Sequence, residues 1–369
     1  MEAKTTKILT ENLKTAVNIA NRFVSLRPSV AALGNILLKS SKGKIEFFST
    51  NLESSIALSE VASGEDWETT VPAKIFVELV NTLKEKETSL AVEKETLQLV
   101  SGATKATFNT IAASEFPTIQ LSGDKLKKDL SQKTLAEIVG KIAFAATVEE
   151  TKPVLTGILI RSKGGKTLLV ATDSYRLAIG TLNESLGEEE MLVPAKTLVE
   201  ALKIAGELQE ESIGIGTSEE NNQLLFAGDN FQIATRLIDG VYPAYEQIIP
   251  DTFVASVKVS KDALTDALKT ASVLSRDIGN VVRLKLKAPQ QLVIEGDTAQ
   301  IGQAVTEVEA EVTGEELTVA FNSNFLLDGL SSLKEAEVEI KFSGVLKPAV
   351  FENSKKDFKY VVMPVRAQR

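Results

Sequence analysis

Apolar and polar positions alternate in two short runs within the segment Pro153–Gly180, and the pair Gly164-Gly165 separates the runs. Alternation with a period of two is typical of β-strands, and a Gly-Gly pair between two such runs is typical of a hairpin turn. The pattern therefore predicts strands over Gly157–Arg161 and Thr167–Ala171, followed by a third strand around Leu177–Thr181.

The same pattern occurs three times along the chain. A copy lies 122 positions earlier, in LGNILLKSSKGKIEFFSTNLESSIALSE, where Asn35 corresponds to Gly157 and Asn51 to Asp173. A fainter copy, VRLKLKAPQQLVIEGDTAQIGQA, places Asp297 124 positions after Asp173. These copies indicate one module used three times. The predicted domains are 1–122, 123–249 and 250–369.

Each module is predicted to begin with an amphipathic helix. Thr10, Ser131 and Ser260 are typical N-cap residues, and apolar residues follow each of them at intervals of three or four. A second helix is predicted after the phrases VPAK at 71 and 193 and VAFN at 319, with proline in its first turn in the first two modules. With about six to eight strands in each module, the predicted fold class is α+β with mostly antiparallel sheets.

Composition limits the classes of function that the chain can have. The sequence has 369 residues, a formal net charge of −9, no cysteine and no histidine. Disulfides, thiolate or imidazole metal sites and Ser-His-Asp chemistry are therefore excluded. No segment has the pattern of a membrane span or a signal peptide, so we expect a cytoplasmic protein that needs no metal or cofactor.

Charge is distributed unevenly between the predicted helices and the rest of the chain. The six helices carry about +5, which leaves about −14 on all other segments. One extra lysine on a helix is ordinary for a solvent-exposed face, but five of the six helices have the same sign. The pattern indicates a basic helical face on an acidic protein.

Module size restricts how such a face could surround a ligand. A module of this length should measure roughly 35 Å across, so a ring of three would leave a hole of about 5 Å and a ring of six a hole of about 35 Å. Six modules require two chains. If the basic helices face inward, a homodimer becomes a ring wide enough for duplex DNA, with phosphates contacted independently of sequence.

Three phrases of the chain are similar to a known family. ATDSYRLA at 171–178, RLIDGVYPAYEQIIP at 236–250 and YVVMPVR at 360–366, together with the threefold repeat, resemble the bacterial DNA polymerase III β subunit, the sliding clamp. The resemblance covers the whole chain in order. It implies a head-to-tail homodimer, a ring of six similar domains lined by twelve helices, and no catalytic activity of its own.

The resemblance also implies partners and the residues that bind them. The partners are duplex DNA, the polymerase III α subunit, clamp-loader subunits, and other polymerases and repair proteins that dock a short peptide between the second and third domains. The implied peptide pocket consists of Leu155, Thr172, Tyr175, Arg176, Leu177, Pro243, Gln247, Ile248, Asn322, Pro348, Val361, Val362, Met363 and Pro364. The implied DNA contacts are Arg27, Lys74, Lys152 and Lys196, and the implied dimer contact is Val273-Leu274.

The implied pocket has chemistry that suits a peptide with apolar anchors. Its floor is aliphatic, Thr172 and Arg176 are expected to supply polar contacts at the rim, and the flexible side chain of Met363 suits several partners. Tyr175 stands where the family often has histidine and Gln247 where it often has a basic residue, so we expect a different peptide preference. The last three residues, Ala367-Gln368-Arg369, extend beyond the family's usual end.

Two other classes of function remain open from the residues alone. A magnesium-dependent hydrolase would need Asp173, Asp229 and Asp297 at one site, but Asp173 and Asp297 occupy equivalent repeat positions, which favours turn chemistry. A three-module adaptor that binds only proteins is the other alternative.

Gly165-Lys166-Thr167 has the end of a P-loop but lies in a predicted hairpin. Trp67, the one tryptophan, is predicted to have a packing role, and contact with a partner is the alternative.

Overall fold

In the residues that the structure describes, eight strands and two α-helices follow one another in the same order three times, as β-α-β-β-β-β-α-β-β-β. The structure, a computed structural model, describes residues 3–119, 121, 128–186, 190–218, 222–298 and 302–366. The prediction of three α+β modules is confirmed by this order. The predicted C-terminal extension, Ala367-Gln368-Arg369, lies outside the described residues.

The three modules contain strands of similar length at corresponding positions. The strands of the first module are β1 Lys4–Leu9, β2 Asn35–Ser41, β3 Lys44–Thr50, β4 Ser54–Gly64, β5 Trp67–Pro72, β6 Glu87–Glu93, β7 Thr96–Ser101 and β8 Thr104–Asn109. Those of the second are β9 Lys128–Ser131, β10 Gly157–Lys163, β11 Lys166–Thr172, β12 Arg176–Leu182, β13 Met191–Pro194, β14 Ser212–Ser218, β15 Gln223–Ala227 and β16 Phe231–Arg236. Those of the third are β17 Ala255–Ser260, β18 Val281–Lys287, β19 Gln291–Thr298, β20 Gly302–Gly314, β21 Leu317–Asn322, β22 Glu337–Phe342, β23 Ala349–Glu352 and β24 Phe358–Val362.

The two helices of each module also begin at corresponding positions. They are α1 Thr10–Ala20 and α2 Ala73–Thr82, α3 Gln132–Ile142 and α4 Ala195–Glu207, and α5 Lys261–Ser275 and α6 Ser323–Ser331. Each first helix buries one apolar side, as its spacing predicts; α1 buries Leu13 and Val17, and α5 buries Leu264 and Leu268. In the described part of the chain no helix has the length and apolar character of a membrane span.

The chain divides into two compact units that do not follow the module boundaries. One unit contains Met1–Lys133 and Glu200–Leu237, and the other contains Thr134–Val199 and Ile238–Arg369. The sheet of the first unit runs β8-β7-β6-β1-β4-β16-β15-β14-β9, with β3, β2 and β5 continuing from β4. The sheet of the second unit runs β13-β10-β11-β12-β24-β23-β22-β17-β20-β19-β18-β21. The ladders β4–β16 and β12–β24, each between two modules, produce this division.

The hairpin that the sequence predicts most clearly is present with longer strands. β10, β11 and β12 pair in succession, and Lys163 lies opposite Lys166 at the turn. Gly164 and Gly165 have φ values of 61° and 79°, the left-handed region that glycine adopts at little cost. The hairpin interpretation of the Gly-Lys-Thr phrase is therefore confirmed, and the P-loop is excluded.

The predicted helix starts are correct to within a residue, but the predicted caps are only partly right. The Ser260 hydroxyl accepts a hydrogen bond from the Ala263 amide at the start of α5, as an N-cap does. Thr10 is instead the first helical residue, and its hydroxyl bonds the Thr88 hydroxyl at 2.9 Å. The proline of each VPAK phrase ends the strand before the helix rather than entering the first turn.

Turn chemistry at the repeated Asn/Asp position holds for two modules and is wrong for the third. Asn51 Oδ1 accepts the amides of Glu53 and Ser54, and Asp173 Oδ1 accepts those of Tyr175 and Arg176. Asp297 lies within β19, opposite Gln303, and its carboxylate binds Arg283. The longer β19–β20 hairpin brings this residue into the ladder, so it has no turn to stabilise.

The packing prediction for Trp67 is confirmed. Its side chain is 7% exposed at the start of β5, and its indole Nε1 donates to the Thr6 hydroxyl at 2.8 Å. A buried indole with its one donor satisfied is a core residue.

Candidate functional site

Some of the predicted pocket residues belong to an apolar cluster in the second compact unit. Leu155, Leu177 and Val361, three of the predicted floor residues, are buried together there. Leu177 on β12 lies opposite Val361 on β24, and Val361 lies opposite Val350 on β23. Ladder pairing between the second and third modules therefore builds one floor from residues that are far apart in the sequence.

Several floor residues were not predicted from the sequence. The remaining buried members of the cluster are Leu159, Val170, Ile179, Leu192, Tyr242, Tyr245 and Val350. The two tyrosines belong to the phrase YPAY, which the sequence analysis used as a motif without assigning its aromatic rings. Tyr242 donates from its hydroxyl to the Val170 carbonyl at 3.3 Å, and burial raises the pKa of Tyr242.

The segment after Tyr242 forms an exposed rim beside this floor. Pro243 and Gln247 are exposed, and Ile248 is 37% exposed next to the partly buried Ile249, which packs on the cluster. An apolar side chain at the edge of an apolar floor can be covered by a ligand at little desolvation cost. The rim therefore offers both apolar and amide contacts.

The turn between β11 and β12 carries further residues of the predicted pocket and is held by side-chain hydrogen bonds. The Thr172 hydroxyl donates to the Arg176 carbonyl at 2.6 Å and accepts from the Ser174 amide at 3.2 Å. Ser174 has a φ of 82°, a conformation that the Thr172 and Asp173 hydrogen bonds maintain. The turn presents Tyr175 to solvent, with 59% of the residue exposed.

Arg176 anchors this turn to the third module. Its Nε donates to Asp173 at 3.0 Å, one terminal nitrogen donates to Asp328 on α6, and the other donates to the Phe144 carbonyl at 2.9 Å. The guanidinium carbon lies 4.5 Å from the ring centre of Phe325 and 5.1 Å from that of Phe144. Burial acts to lower the pKa of Arg176, but the hydrogen bond to Asp328 and neighbouring groups outweigh it and raise the pKa. The guanidinium is thus occupied within the chain, so a peptide would have to compete with these groups for it.

The C-terminal strand brings Met363 beside the same turn. The Met363 amide donates to the Tyr175 carbonyl at 2.9 Å, and the Tyr175 ring stacks on Phe325 at 6.3 Å between ring centres. Val362 is buried, whereas Met363 and Pro364 are half-buried.

Two of the predicted pocket residues have other structural roles. Asn322 caps α6, because its side-chain oxygen accepts the Asn324 amide at 2.9 Å, and its amide donates to the Gly279 carbonyl at 3.3 Å. Pro348 is half-buried just before β23, and its carbonyl accepts the Ser343 hydroxyl at 2.6 Å. Neither residue belongs to the apolar cluster.

The predicted DNA contacts are exposed cations. In the described part of the chain Arg27, Lys74 and Lys196 have no ion-pair partner, and Lys152 lies 3.9 Å from Glu149. Lys74 and Lys196 are each the second residue of a second helix, so the repeat places a lysine at the same point twice.

Part of the helical charge is neutralised within the chain. Arg22 forms ion pairs with Glu200 at 2.7 Å and Glu207 at 2.6 Å, and Lys141 pairs with Glu137 at 3.0 Å. The basic surplus counted from the sequence is therefore not wholly available to an external phosphate.

The predicted dimer residues lie at the end of α5. Val273 is 62% exposed and Leu274 is half-buried. From its position on an amphipathic helix Val273 would be assigned to the core, but the fold leaves it in solvent.

The structure gives no support to a magnesium site. Within the described ranges no three acidic, histidine or cysteine side chains are grouped so that they could hold a metal ion. Asp173 and Asp297 each bind an arginine, and the Asp229 amide donates to Glu210.

Comparison with known families matches the chain in three consecutive parts. The models that match are the N-terminal domain of the DNA polymerase III beta subunit over residues 5–120, the central domain over 129–244 and the C-terminal domain over 246–366. Two similar proteins are the beta sliding clamps of Proteus mirabilis and Streptomyces coelicolor. The first is 29% identical, covering 92% of this chain and 94% of the relative, and the second is 28% identical, covering 96% and 97%.

Solved structures with the same fold include three from different bacteria. The beta subunit from Thermotoga maritima superposes with a TM-score of 0.92 at 25% identity, over 99% of this chain and all of that one. The sliding clamp from Bacillus subtilis gives 0.92 at 25% identity, over all of both chains. The beta chain from Streptococcus pneumoniae gives 0.93 at 25% identity, over 99% of this chain and all of that one.

Proposed function

The chain belongs to the family of bacterial DNA polymerase III beta subunits, the DNA sliding clamps, and on that premise we propose that two copies close head to tail into a ring around duplex DNA. Members of this family are non-catalytic processivity factors, so the chain is not an enzyme. A ring on DNA keeps a polymerase at its template by raising the polymerase's effective concentration there. In this proposal each chain contributes the domains 1–122, 123–249 and 250–369 and acts in the cytoplasm, where the replicating DNA lies.

Two junctions between modules exist within the chain, and both use the same strands. β4, the fourth strand of the first module, pairs with β16, the eighth strand of the second, so that Leu58 lies opposite Phe231. β12, the fourth strand of the second module, pairs with β24, the eighth strand of the third, so that Leu177 lies opposite Val361. A module therefore joins its successor through a fourth strand and an eighth strand.

The thirteenth residue counted from the start of the first helix lies at both junctions, although it is associated with different positions of the next module's second helix. Counted from the start of the first helix, Arg22 is the thirteenth residue, and it pairs with Glu200 and Glu207 on the second helix of the next module. Phe144 is the thirteenth residue in the second module. Together with Phe325, the third residue of α6, it holds the Arg176 guanidinium.

The equivalent surfaces of the third module and of the first are unfilled in the described residues. The first part of β20, the fourth strand, pairs on one edge only, with β19, and β8, the eighth strand of the first module, pairs only with β7. Val273 is the thirteenth residue counted from the start of α5, and Ile75 is the third residue of α2; they are 62% and 55% exposed. This correspondence between filled and unfilled junctions is the observation that carries the head-to-tail ring, with Val273 and Leu274 against the first module of the partner.

The exposed cations support sequence-independent contact with DNA. Arg27, Lys74, Lys152 and Lys196 would reach phosphate oxygens, which carry the same charge at every base pair. The loss of affinity with added salt should be moderate, because several helical cations are already paired with carboxylates inside the chain.

The apolar floor and its rim support peptide docking by the polymerase α subunit, clamp-loader subunits, other polymerases and repair proteins. An aliphatic floor with aromatic residues beneath it suits apolar anchors of a short peptide, whereas the exposed Tyr175 and Gln247 would contact its polar groups. In this proposal Arg176 positions the turn that carries Tyr175, rather than binding the peptide as its main partner.

Retention on circular DNA tests the proposed ring. The protein should elute at twice its chain mass of 39.8 kDa, remain on nicked circles and be lost when the circle is cut. An adaptor that binds only proteins would not be retained on either form.

Binding of a labelled α-subunit peptide tests the pocket separately. The Ile248→Glu variant should lose the peptide, whereas the Val241→Glu variant, changed in the same exposed segment, should retain it.

A further inference from the structure

One ion pair connects the helical surfaces at the junction of the second and third modules. Glu137 on α3 lies 3.1 Å from Lys334, which follows α6, and 3.0 Å from Lys141 on its own helix. Hydrogen bonds from Lys141 and Lys334 lower the pKa of Glu137 from 4.5 to about 2, so the carboxylate is ionised at neutral pH. The pair thus joins the first helix of one module to the end of the second helix of the next.

The repeat gives this pair counterparts in the other modules. Glu137 is the sixth residue of α3, and the sixth residues of α1 and α5 are Thr15 and Asp266. Lys334 is the twelfth residue counted from the start of α6, and the corresponding residues in the first and second modules are Lys84 and Gly206.

The charges of these counterparts depend on which junction they belong to. At the junction of the first and second modules the positions hold Thr15 and Gly206, which cannot form an ion pair. At the surfaces that remain unfilled, the third module carries Asp266 and the first module carries Lys84. The same signs occur at the same positions as in the Glu137–Lys334 pair.

Both residues are available to a partner. Asp266 and Lys84 are exposed, and neither has an ion-pair partner in the described parts of the chain. Asp266 lies on the same helix as the exposed Val273, and Lys84 follows the helix that carries the exposed Ile75. The acid and the base therefore lie on or just after the same two helices as these exposed apolar residues.

We propose that Asp266 forms an ion pair with Lys84 of the partner subunit, and that this pair fixes the register and direction of the subunit junction. The inference rests on the proposed head-to-tail ring and names a specific contact in it. Apolar contacts such as those of Val273 and Ile75 are not directional, whereas an acid on one surface and a base on the other favour head-to-tail association and oppose association of two like surfaces. A symmetrical ring contains the pair twice, so a change in either residue affects both junctions.

Charge reversal tests the pair directly. Asp266→Lys places two lysines at each junction and Lys84→Asp places two aspartates there, so each variant should dimerise about tenfold more weakly than the wild type, a difference of about 1.4 kcal/mol. The variant with both changes in one chain restores opposite charges at both junctions and should recover most of the lost affinity. The dissociation constants can be measured by sedimentation at low and high salt, and the losses should shrink as salt screens the charges.

A mixture of the two single variants provides a second readout. In the heterodimer the two substituted positions meet with opposite charges at one junction, and the original pair is retained at the other, whereas either homodimer has two repulsive junctions. Native mass spectrometry of labelled chains should therefore show an excess of heterodimer over the statistical proportion. Asp262→Lys is the matched control, because it makes the same charge change four residues earlier on α5, at a position equivalent to the exposed Lys133.

The possible results separate this pair from the ring itself. The ion pair would be overturned, and the ring left intact, if the wild type dimerises but Asp266→Lys weakens dimerisation no more than Asp262→Lys does. The same conclusion would follow if the double variant dimerises as weakly as the single variants. A wild-type protein that remains monomeric at all concentrations and is not retained on circular DNA would overturn the ring and the pair with it.

Discussion

Arg176 is the residue that ties the turn between β11 and β12 to the third module. Its side chain is 12% exposed, and its guanidinium contacts two carboxylates, one carbonyl and two aromatic rings. The sequence identified the residue through the ATDSYRLA phrase but predicted a contact at the rim. The partners Phe144, Phe325 and Asp328 come from distant segments, so their convergence on Arg176 depends on tertiary structure.

Replacing Arg176 by alanine should reduce stability substantially. The change leaves Asp173 and Asp328 without their cation and removes contacts with two rings, so we expect the free energy of unfolding to fall by about 2 kcal/mol. Arg161→Ala is the matched control, because Arg161 also binds two carboxylates, Glu190 and Glu246, but in an exposed position where the loss should stay under about 1 kcal/mol. Equal losses in urea denaturation would contradict the anchoring role.

Glu137 should make stability depend on pH in a defined window. Its folded pKa of about 2 lies below the ordinary value of 4.5, so its ion pairs contribute stability above pH 4.5 and that contribution disappears as the pH falls towards 2. A Glu137→Gln variant lacks this proton uptake. The melting temperature of the wild type should therefore be higher than that of the variant at pH 4.5, and the two should converge as the pH falls to 2. A constant difference between the two melting temperatures over this range would contradict the assignment.

At the scale of elements, local pattern predicted strands and helices better than their ends. The hairpin β10–β11 follows from alternation and two glycines, which act over a few residues. The prediction of an N-cap at Thr10 was wrong because the Thr10 hydroxyl is hydrogen-bonded to the Thr88 hydroxyl on β6. The prediction of turn chemistry at Asp297 was wrong because β19 is long enough to include this residue. In each case a contact or pairing outside the local pattern decided the role of the residue.

Packing of α6 on β24 gives a prediction that reverses the usual effect of a glycine replacement. A Cβ at Gly329 would lie 2.6 Å from the Tyr360 ring, which is fully buried, so Gly329→Ala should destabilise the protein by about 1–3 kcal/mol. Gly140 on α3 has no atom within 4 Å of such a Cβ, so Gly140→Ala should stabilise by up to about 1 kcal/mol through helix propensity. Melting temperatures that shift in the same direction for both variants would refute the close approach.

At the scale of the whole molecule, the repeat and the family phrases predicted three modules but not how they divide into compact units. The ladders β4–β16 and β12–β24 join edges of different modules, and the sequence contains no local signal for edge pairing over such distances. The apolar floor could be predicted only in part for the same reason. Its valines from β23 and β24 meet residues of β10 to β12 through the ladder β12–β24, and its tyrosines from YPAY join the same cluster from the segment after β16.

Pairing between modules inside the chain is the strongest structural support for assembly. The two filled junctions show which strands a module uses to join its successor, and the corresponding edges of β20 and β8 are unpaired in the described residues. The domain boundaries, the DNA contacts and the partner peptides stay predictions that depend on this assembly.

Cysteine cross-linking tests the head-to-tail ring most directly, because the natural chain contains no cysteine. A variant with both Ile75→Cys and Val273→Cys should be joined by a short bis-maleimide into a covalently closed dimer, which should stay on nicked circular DNA after denaturation. Each single variant should stay uncross-linked, because the head-to-tail junction brings one residue of each kind together. Cross-linking of either single variant, or a double variant that stays monomeric, would contradict the account.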